Sequence, residues 1–396
     1  MPIDWTLILE WFIKAALSCF ILLTGFAYMT FAERKVAALL QTRVGPNRAG
    51  PFGFLQPAAD GLKLLFKEEF IPAGADKVIF VLAPIITVLP AFTILAVVPW
   101  GPTVTLWGRE IFLGITDLNV GVLYILSVAS IAVYGIVLAG WASNNKYSMM
   151  GGLRSSAQMV SYELALGLAF VGPILLAGSM SLGTIVDAQK DVWYIFIQPV
   201  AALIFYVAAL AEVNRAPFDM PEAEQELTAG YHTEYSGMKF SLFFMAEYIK
   251  MIAVSAIFAT LFLGGWRGPL ADMGPVQIPA TWAFIPVPVA TFLSGLDLGV
   301  LGPLWFTLKV VASLFFMIWL RSTHPRLRYD RLMAFGWKFL LPLALANILV
   351  TAAALVHPVA FWVSTALVAV GVAVVVLREI RVGMALSRRG AQGLRR

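Results

Sequence analysis

The sequence predicts an all-α polytopic membrane protein, on three observations. Hydrophobic residues make up 60% of the chain and charged ones 13%, too apolar for a surface that faces water. The apolar residues gather into nine runs of the length a helix needs to cross a hydrocarbon core, roughly 20 residues each. Lys and Arg collect on alternate connections between those runs.

The first run, Leu9 to Phe31, follows a stretch carrying Asp4 and no basic residue, and it is long enough to span. It therefore reads as an uncleaved helix rather than a leader peptide. The connection 32–77 holds GPNRAGPFG, Gly45 to Gly53, whose Gly and Pro favour a shaped turn. Gln56 to Phe70 then reads as an amphipathic helix. Pro57 suits its first turn, Leu62, Leu65 and Phe66 share one face, and Asp60, Lys63 and Lys67 another.

Further spans are expected at Val78 to Pro99, Leu118 to Trp141, Val160 to Ala177, Trp193 to Ala211, Phe240 to Leu263 and Leu304 to Leu320, with connections 142–159, 212–239 and 321–338 on the basic side. Phe339 to Val356 and Val359 to Leu377 read as a tight hairpin joined at His357 and Pro358. Pro279 to Leu293 is apolar but short and broken by Pro286 and Pro288, so it reads as interfacial or re-entrant, with a tenth span as the alternative. The result is one transmembrane helical domain, 1–377, and a basic tail, 378–396.

Of the 28 basic residues, 22 fall on one side, including six arginines from Arg378 to Arg396, against Arg109, Lys190 and Arg267 on the other. Positive charge is retained on the cytoplasmic side, so the amino terminus is expected outside and the carboxyl terminus inside. The single cysteine, Cys19, excludes a disulfide framework and a cysteine-ligated iron-sulfur cluster built by this chain alone. His232, His324 and His357 are too dispersed for a local metal motif, and no GxGxxG or Walker sequence is present. No flavin, metal, nucleotide or nucleic-acid site is expected.

The segment Glu212 to Gly237 carries six acids against one base, Arg215, on a side otherwise rich in Lys and Arg. Glu163 begins the fourth span, Glu212 ends the fifth and Glu247 lies two turns into the sixth, facing the same region as Asp219, Glu222, Glu224, Glu226 and Glu234. Ionisable groups within spans cost roughly 2.5–3.5 kcal/mol each on insertion scales, so each needs a partner, water or a function. Carboxylates gathered at low dielectric are suited to carrying cations or protons. Simpler readings stand beside this one. Glu33 and Arg34 form an end-of-helix pair, Lys14 snorkels outward, and Glu247 meets Lys250 three residues on. Lys309 has no local acid. Lys250, Lys309 and Glu247 would also suit a free-standing, ion-coupled secondary transporter.

Four stretches are long enough to carry a resemblance: AERKVAALLQTRVGPNRAGPFGFLQPAADGLKLLFKEE at 32–69, GWASNNKYSMMGGLRSSAQMVSYE at 140–163, AEVNRAPFDMPEAEQELTAGYHTEYSGMKF at 211–240 and WLRSTHPRLRYDRLM at 319–333. Over about residues 10–356 the chain resembles the H-type subunit (subunit 1) of the proton-pumping NADH:quinone oxidoreductase, respiratory complex I. The resemblance implies a subunit without redox centres in the bacterial cell inner membrane. It would form most of the tunnel for the quinone, with ubiquinone the expected species, and contact both peripheral-arm quinone-reducing subunits and membrane-arm subunits. Arg34, Ala59, Asp60 and Phe218 would line or adjoin that tunnel. Glu163, Glu212, Glu222, Glu224 and Glu247 would form an acid path linking quinone chemistry to proton translocation. Two features depart from the family pattern. The third span has no acid where some relatives carry a glutamate, and the ninth span and arginine-rich tail are absent from many relatives.

Overall fold

A computed structural model describes residues 5–106, 109–219, 229–268 and 301–356. The expected ninth span, the basic tail, the stretch Pro279 to Leu293 and Glu222, Glu224 and Glu226 lie outside the described residues. The helices are α1 (Trp5–Leu40), α2 (Gln56–Leu65), α3 (Lys77–Ile94), α4 (Gly121–Ala142), α5 (Lys146–Ala177), α6 (Leu182–Ala188), α7 (Tyr194–Ile197), α8 (Pro199–Glu212), α9 (Gly237–Phe262), α10 (Gly302–Thr323), α11 (Tyr329–Phe335) and α12 (Leu341–Val356). Among the described residues, seven helical stretches are long and apolar enough to cross a membrane: α1, α3, α4, α5, α9, α10 and the continuous run Tyr329–Val356. With the shorter apolar α8, they make an all-α polytopic membrane protein.

Several boundaries differ from expectation. Helix α5 starts at Lys146 rather than near Val160, capped by Asn145, whose side chain accepts from the Tyr147 N–H, so most of the expected connection 142–159 is helical. Likewise α1 continues to Leu40, α10 to Thr323, and residues 329–340 are helical. Hydropathy registers only the apolar part of a helix, and the polar ends of these helices escape it. The fifth span is broken. Gln198 leaves helical geometry at φ −129° and ψ 60°, and Pro199 has no N–H to continue α7 into α8. The amphipathic α2 stops at Leu65 rather than Phe70 and buries no residue. An unexpected antiparallel hairpin, β1 (Thr103–Leu106) and β2 (Arg109–Phe112), sets Thr103 opposite Phe112.

Helix α9 is the central post, 72% of its most apolar window being buried against 17% for α1 at the periphery. Small residues bring the helices together, as expected where lipid removes any hydrophobic drive between them. At Gly135 on α4 a Cβ would stand 2.1 Å from Thr87 Oγ1 and 2.9 Å from the Ala83 carbonyl of α3. Polar side chains tie the connections to the core. Gln158 Nε2 donates to the carbonyls of Ala211 at 2.8 Å and Phe218 at 2.7 Å, fixing the chain beyond α8.

Lys309 needs no acid. The turn after α9, with Gly264 at φ 70° and Gly265 at φ 52°, directs three carbonyls at its Nζ. They belong to Leu263 (2.5 Å), Gly265 (2.9 Å) and Arg267, and the Trp193 ring lies 4.5 Å away. The carbonyl end of a helix favours a cation, and this one uses it. Lys14 pairs with Glu10 one turn earlier, at 2.5 Å.

Replacing Gly135 by Ala is expected to cost about 1–3 kcal/mol through overpacking of α3 against α4. The same change at Gly61, where a Cβ meets nothing within 4 Å, serves as control. Thermal melting of the purified assembly should separate the two variants, and coincident curves would refute the close-packing account.

Candidate functional site

Helices α1, α9 and α10 leave a cavity of about 550 Å³ between them, within the roughly 300–1,000 Å³ of small-molecule sites. Its wall runs along α1 from Ser18 to Val36 and along α10 from Pro303 to Ile318, with Ile252 and Ala256 of α9 behind and Leu95 and Trp100 closing one end. The eighteen residue steps from Ser18 to Val36 make that α1 wall about 27 Å long. The lining is apolar apart from Ser18, Tyr28 and Thr307.

At the Val36 and Ile318 end the walls turn charged. Glu33 follows Ala32 of the lining, Arg321 stands one turn past Ile318, and Glu247 with Tyr248 lies one turn before Ile252. Arg215, carried in from the segment after α8, joins them. Its Nη1 donates to both carboxylate oxygens of Glu33 at 2.8 and 3.0 Å, and its Nε stands 2.5 Å from Glu247 Oε1. The guanidinium lies 4.2 Å over the Tyr248 ring, and Arg321 also pairs with Glu33. Glu247 therefore pairs with Arg215, not with Lys250 as expected. A guanidinium presents several donors in one plane and serves two carboxylates at once, which an ammonium three residues along the same helix does not match. Beside this cluster Arg326 Nη2 holds buried Asp219 at 2.6 Å.

Of the four residues expected at the tunnel, Arg34 and Asp60 are brought together, Nη1 to Oδ2 at 2.7 Å, with Gln56 Nε2 on the other carboxylate oxygen at 3.0 Å. The pair is half-exposed and clamps α2 to α1, helped by Phe31 stacked on Phe54 with centroids 5.6 Å apart. Ala59 is exposed on α2. Phe218 is buried against Tyr162 of α5, centroids 5.8 Å apart. None of the four lines the cavity, although Arg34 sits on α1 between the lining residues Ala32 and Val36.

The acids of the expected path fall into a second group. Glu212 and Glu247 share with Lys250, Thr87, Asn214 and Tyr231 a cavity of about 20 Å³ with a mixed polar and apolar lining, enough for a water molecule. Lys250 is buried and, among the described residues, makes no ion pair or hydrogen bond. The charges facing it are those of Glu212, Glu163 and Glu247. Glu163 in turn accepts from Ser130 of α4. Glu222 and Glu224 lie outside the described residues. Sequence reasoning missed Arg321, Tyr248 and Ser130 as site residues. It gave Arg215 no role, although a lone base in an acidic stretch is a signal.

Beyond the spans, Glu69 accepts from Lys239 Nζ at 2.7 Å and from the Met238 N–H at 2.9 Å. The Lys239 hydrogen bond is the main reason its carboxyl is held below the usual range. His232 is buried among Tyr231, Phe240 and Phe244, and that burial pushes its imidazole down to about 4.

The family model described as NADH dehydrogenase matches residues 13–352. The chain is 52% identical over 338 residues to an H-type subunit of the NADH-quinone oxidoreductase of Geobacter sulfurreducens, covering 85% of this chain and 94% of that one. It is 50% identical over 329 residues to the H-type subunit of the same enzyme from Protochlamydia amoebophila, covering 83% and 92%. It is 49% identical over 355 residues to that of Thermomicrobium roseum, covering 87% and 96%. The chain belongs to the NADH dehydrogenase family. The matched region begins within α1 and ends within α12, so both groups of charges lie inside it.

The burial of His232 predicts an acid-sensitive stability. Its folded value of about 4 lies below the ordinary 6.5, so the unfolded segment takes up a proton first as pH falls. The stability tied to the neutral ring is intact above pH 6.5 and is lost on acidification toward 4, by about 2 kcal/mol at pH 5. His232→Phe should flatten the pH dependence of thermal melting over that window. An unchanged slope would show that His232 does not set it.

Proposed function

We propose that this chain is the membrane subunit of a proton-pumping NADH:quinone oxidoreductase, that it admits the quinone, and that its buried acids link quinone reduction to proton translocation. The observation that carries the reading is the apolar cavity between α1, α9 and α10 ending on the Glu33–Arg215–Glu247–Arg321 cluster. A quinone, with ubiquinone the expected species, has an isoprenoid tail that needs an apolar corridor and a headgroup that needs polar groups and protons. Arg34, Ala59, Asp60 and Phe218 are assigned to the headgroup approach, and Glu163, Glu212, Glu222, Glu224 and Glu247 to the proton path. Electrons come from peripheral-arm subunits docked on the basic side, and membrane-arm subunits receive the coupling. The chain sits in the bacterial inner membrane, amino terminus periplasmic and carboxyl terminus cytoplasmic. A free-standing transporter is disfavoured, because Lys309 is occupied by backbone carbonyls rather than open to a substrate.

Arg34→Ala and Asp60→Ala should lower quinone reductase activity roughly tenfold while NADH oxidation by a hydrophilic acceptor persists. Glu212→Gln and Glu247→Gln keep shape but remove a titratable proton, so coupled pumping should fall roughly tenfold or more with assembly retained on native gels. Wild-type pumping by both Gln variants in vesicles would leave these acids structural.

The corridor has its own test. Thr307→Trp narrows the cavity from α10 and should raise the KM for a long-tailed quinone several-fold more than for a short-tailed analogue. Equal effects on the two would place the tail elsewhere.

A further inference from the structure

Helix α4 contributes no carboxylate to the acid group, yet it reaches that group through a hydroxyl. Ser130 Oγ is hydrogen-bonded to Glu163 Oε1 of α5 and stands 3.0 Å from the Leu126 carbonyl, one turn back on its own helix. A serine hydroxyl has one proton and two lone pairs, so it donates to only one of these acceptors at a time. Which one it takes follows from the state of Glu163. An ionised carboxylate only accepts, so Ser130 must donate to it and leave the Leu126 carbonyl to its own helix. A protonated carboxyl has an O–H to give, so it donates to Ser130 Oγ and the hydroxyl turns to Leu126. Both arrangements keep every polar proton bonded, which matters in a span where an unpaired donor is costly.

We propose that Ser130 is a positioning residue of the proton path, its hydroxyl turning from the Glu163 carboxylate to the Leu126 carbonyl as Glu163 takes up a proton and back as that proton leaves. The step moves one proton onto Glu163 and one off it, and Ser130 keeps its own. The charged groups facing Glu163 are Glu212 of α8 and Lys250 of α9, with Glu247 of α9 acting on the same Lys250. Among the described residues α4 faces it with the Ser130 hydroxyl. The inference rests on the proposed function, because it deepens the role of Glu163.

The test compares Ser130→Thr with Ser130→Val in the whole assembled complex, since these side chains have nearly the same shape and differ by a hydroxyl for a methyl. Glu163→Gln is measured alongside. Protons pumped per quinone reduced are read in reconstituted vesicles, and the carboxyl C=O stretch assigned to Glu163 by its loss in Glu163→Gln is read by infrared difference spectroscopy. The expected result is pumping near wild type for Thr and roughly tenfold lower for Val, the worth of one hydrogen bond to a charged group. The Glu163 band should shift in Val and be restored in Thr. Equal loss in Thr and Val would mean that only packing matters and would overturn the inference, as would undiminished pumping in Val. If Glu163→Gln pumps as wild type, the proton-path reading itself falls and takes this inference with it. If Glu163→Gln fails while Val pumps normally, only the Ser130 inference falls.

Discussion

Arg215 is the constraint on which the basic end of this bundle depends. Removing an ion from water into a protein interior costs several kcal/mol, and the cost is recovered only where opposite charges and hydrogen bonds meet it. Glu33 on α1, Glu247 on α9 and Arg321 on α10 come from three separate helices, and the Arg215 guanidinium joins the two acids. With Arg321 the set is neutral when all its members are charged. It also fixes how far apart α1, α9 and α10 stand at this end, so the cavity they enclose owes its shape there to electrostatics and elsewhere to small and apolar side chains. Removing Arg215, which joins both acids, leaves Glu247 without its partner, a larger loss than the pair itself supplies.

The other end of α9 obeys the same rule with backbone in place of carboxylates. Irregular chain at membrane depth is tolerated only where its N–H and C=O groups find partners inside the protein. The turn after Phe262 gives three carbonyls to Lys309, and Gln189 receives the N–H groups of Tyr194 and Gly264 while donating to Thr260. At the break between α7 and α8, Gln198 donates to Thr351 of α12. The turn after α9 is thus met by polar side chains from outside that helix, and the break between α7 and α8 is tied to α12 through Gln198.

This explains what was legible in the sequence. Apolar run length locates a span because lipid imposes it, so the spans expected at Val78, Leu118, Phe240 and Leu304 all have their helices. It does not locate a helix end outside lipid, and α5 accordingly began 14 residues earlier than its apolar run. Glu212 and Glu247 were recognisable as costly and therefore purposeful. Their partners were not, because Arg215 and Glu33 are 182 residues apart, and only tertiary structure brings them together. The local rule that pairs Glu247 with Lys250 failed for the same reason, a distant guanidinium having the better geometry. Lys309 looked unpaired because a sequence shows acids but not where carbonyls point.

The two groups of buried charges differ in a way that bears on how quinone chemistry would reach a proton path. Around Arg215 every carboxylate is held by short contacts, which resists any change in its charge. Around Lys250 no direct pair forms among the described residues, and a water-sized space lies beside it. Glu247 belongs to both, holding Arg215 on one side and lining that space on the other. Under the proposed function, a change of charge at the end of the apolar cavity would act first on Glu33 and Arg215, which lie there. On the same reading, Glu247 is the residue placed to pass it on, because it both pairs with Arg215 and lines the space shared with Glu212 and Lys250.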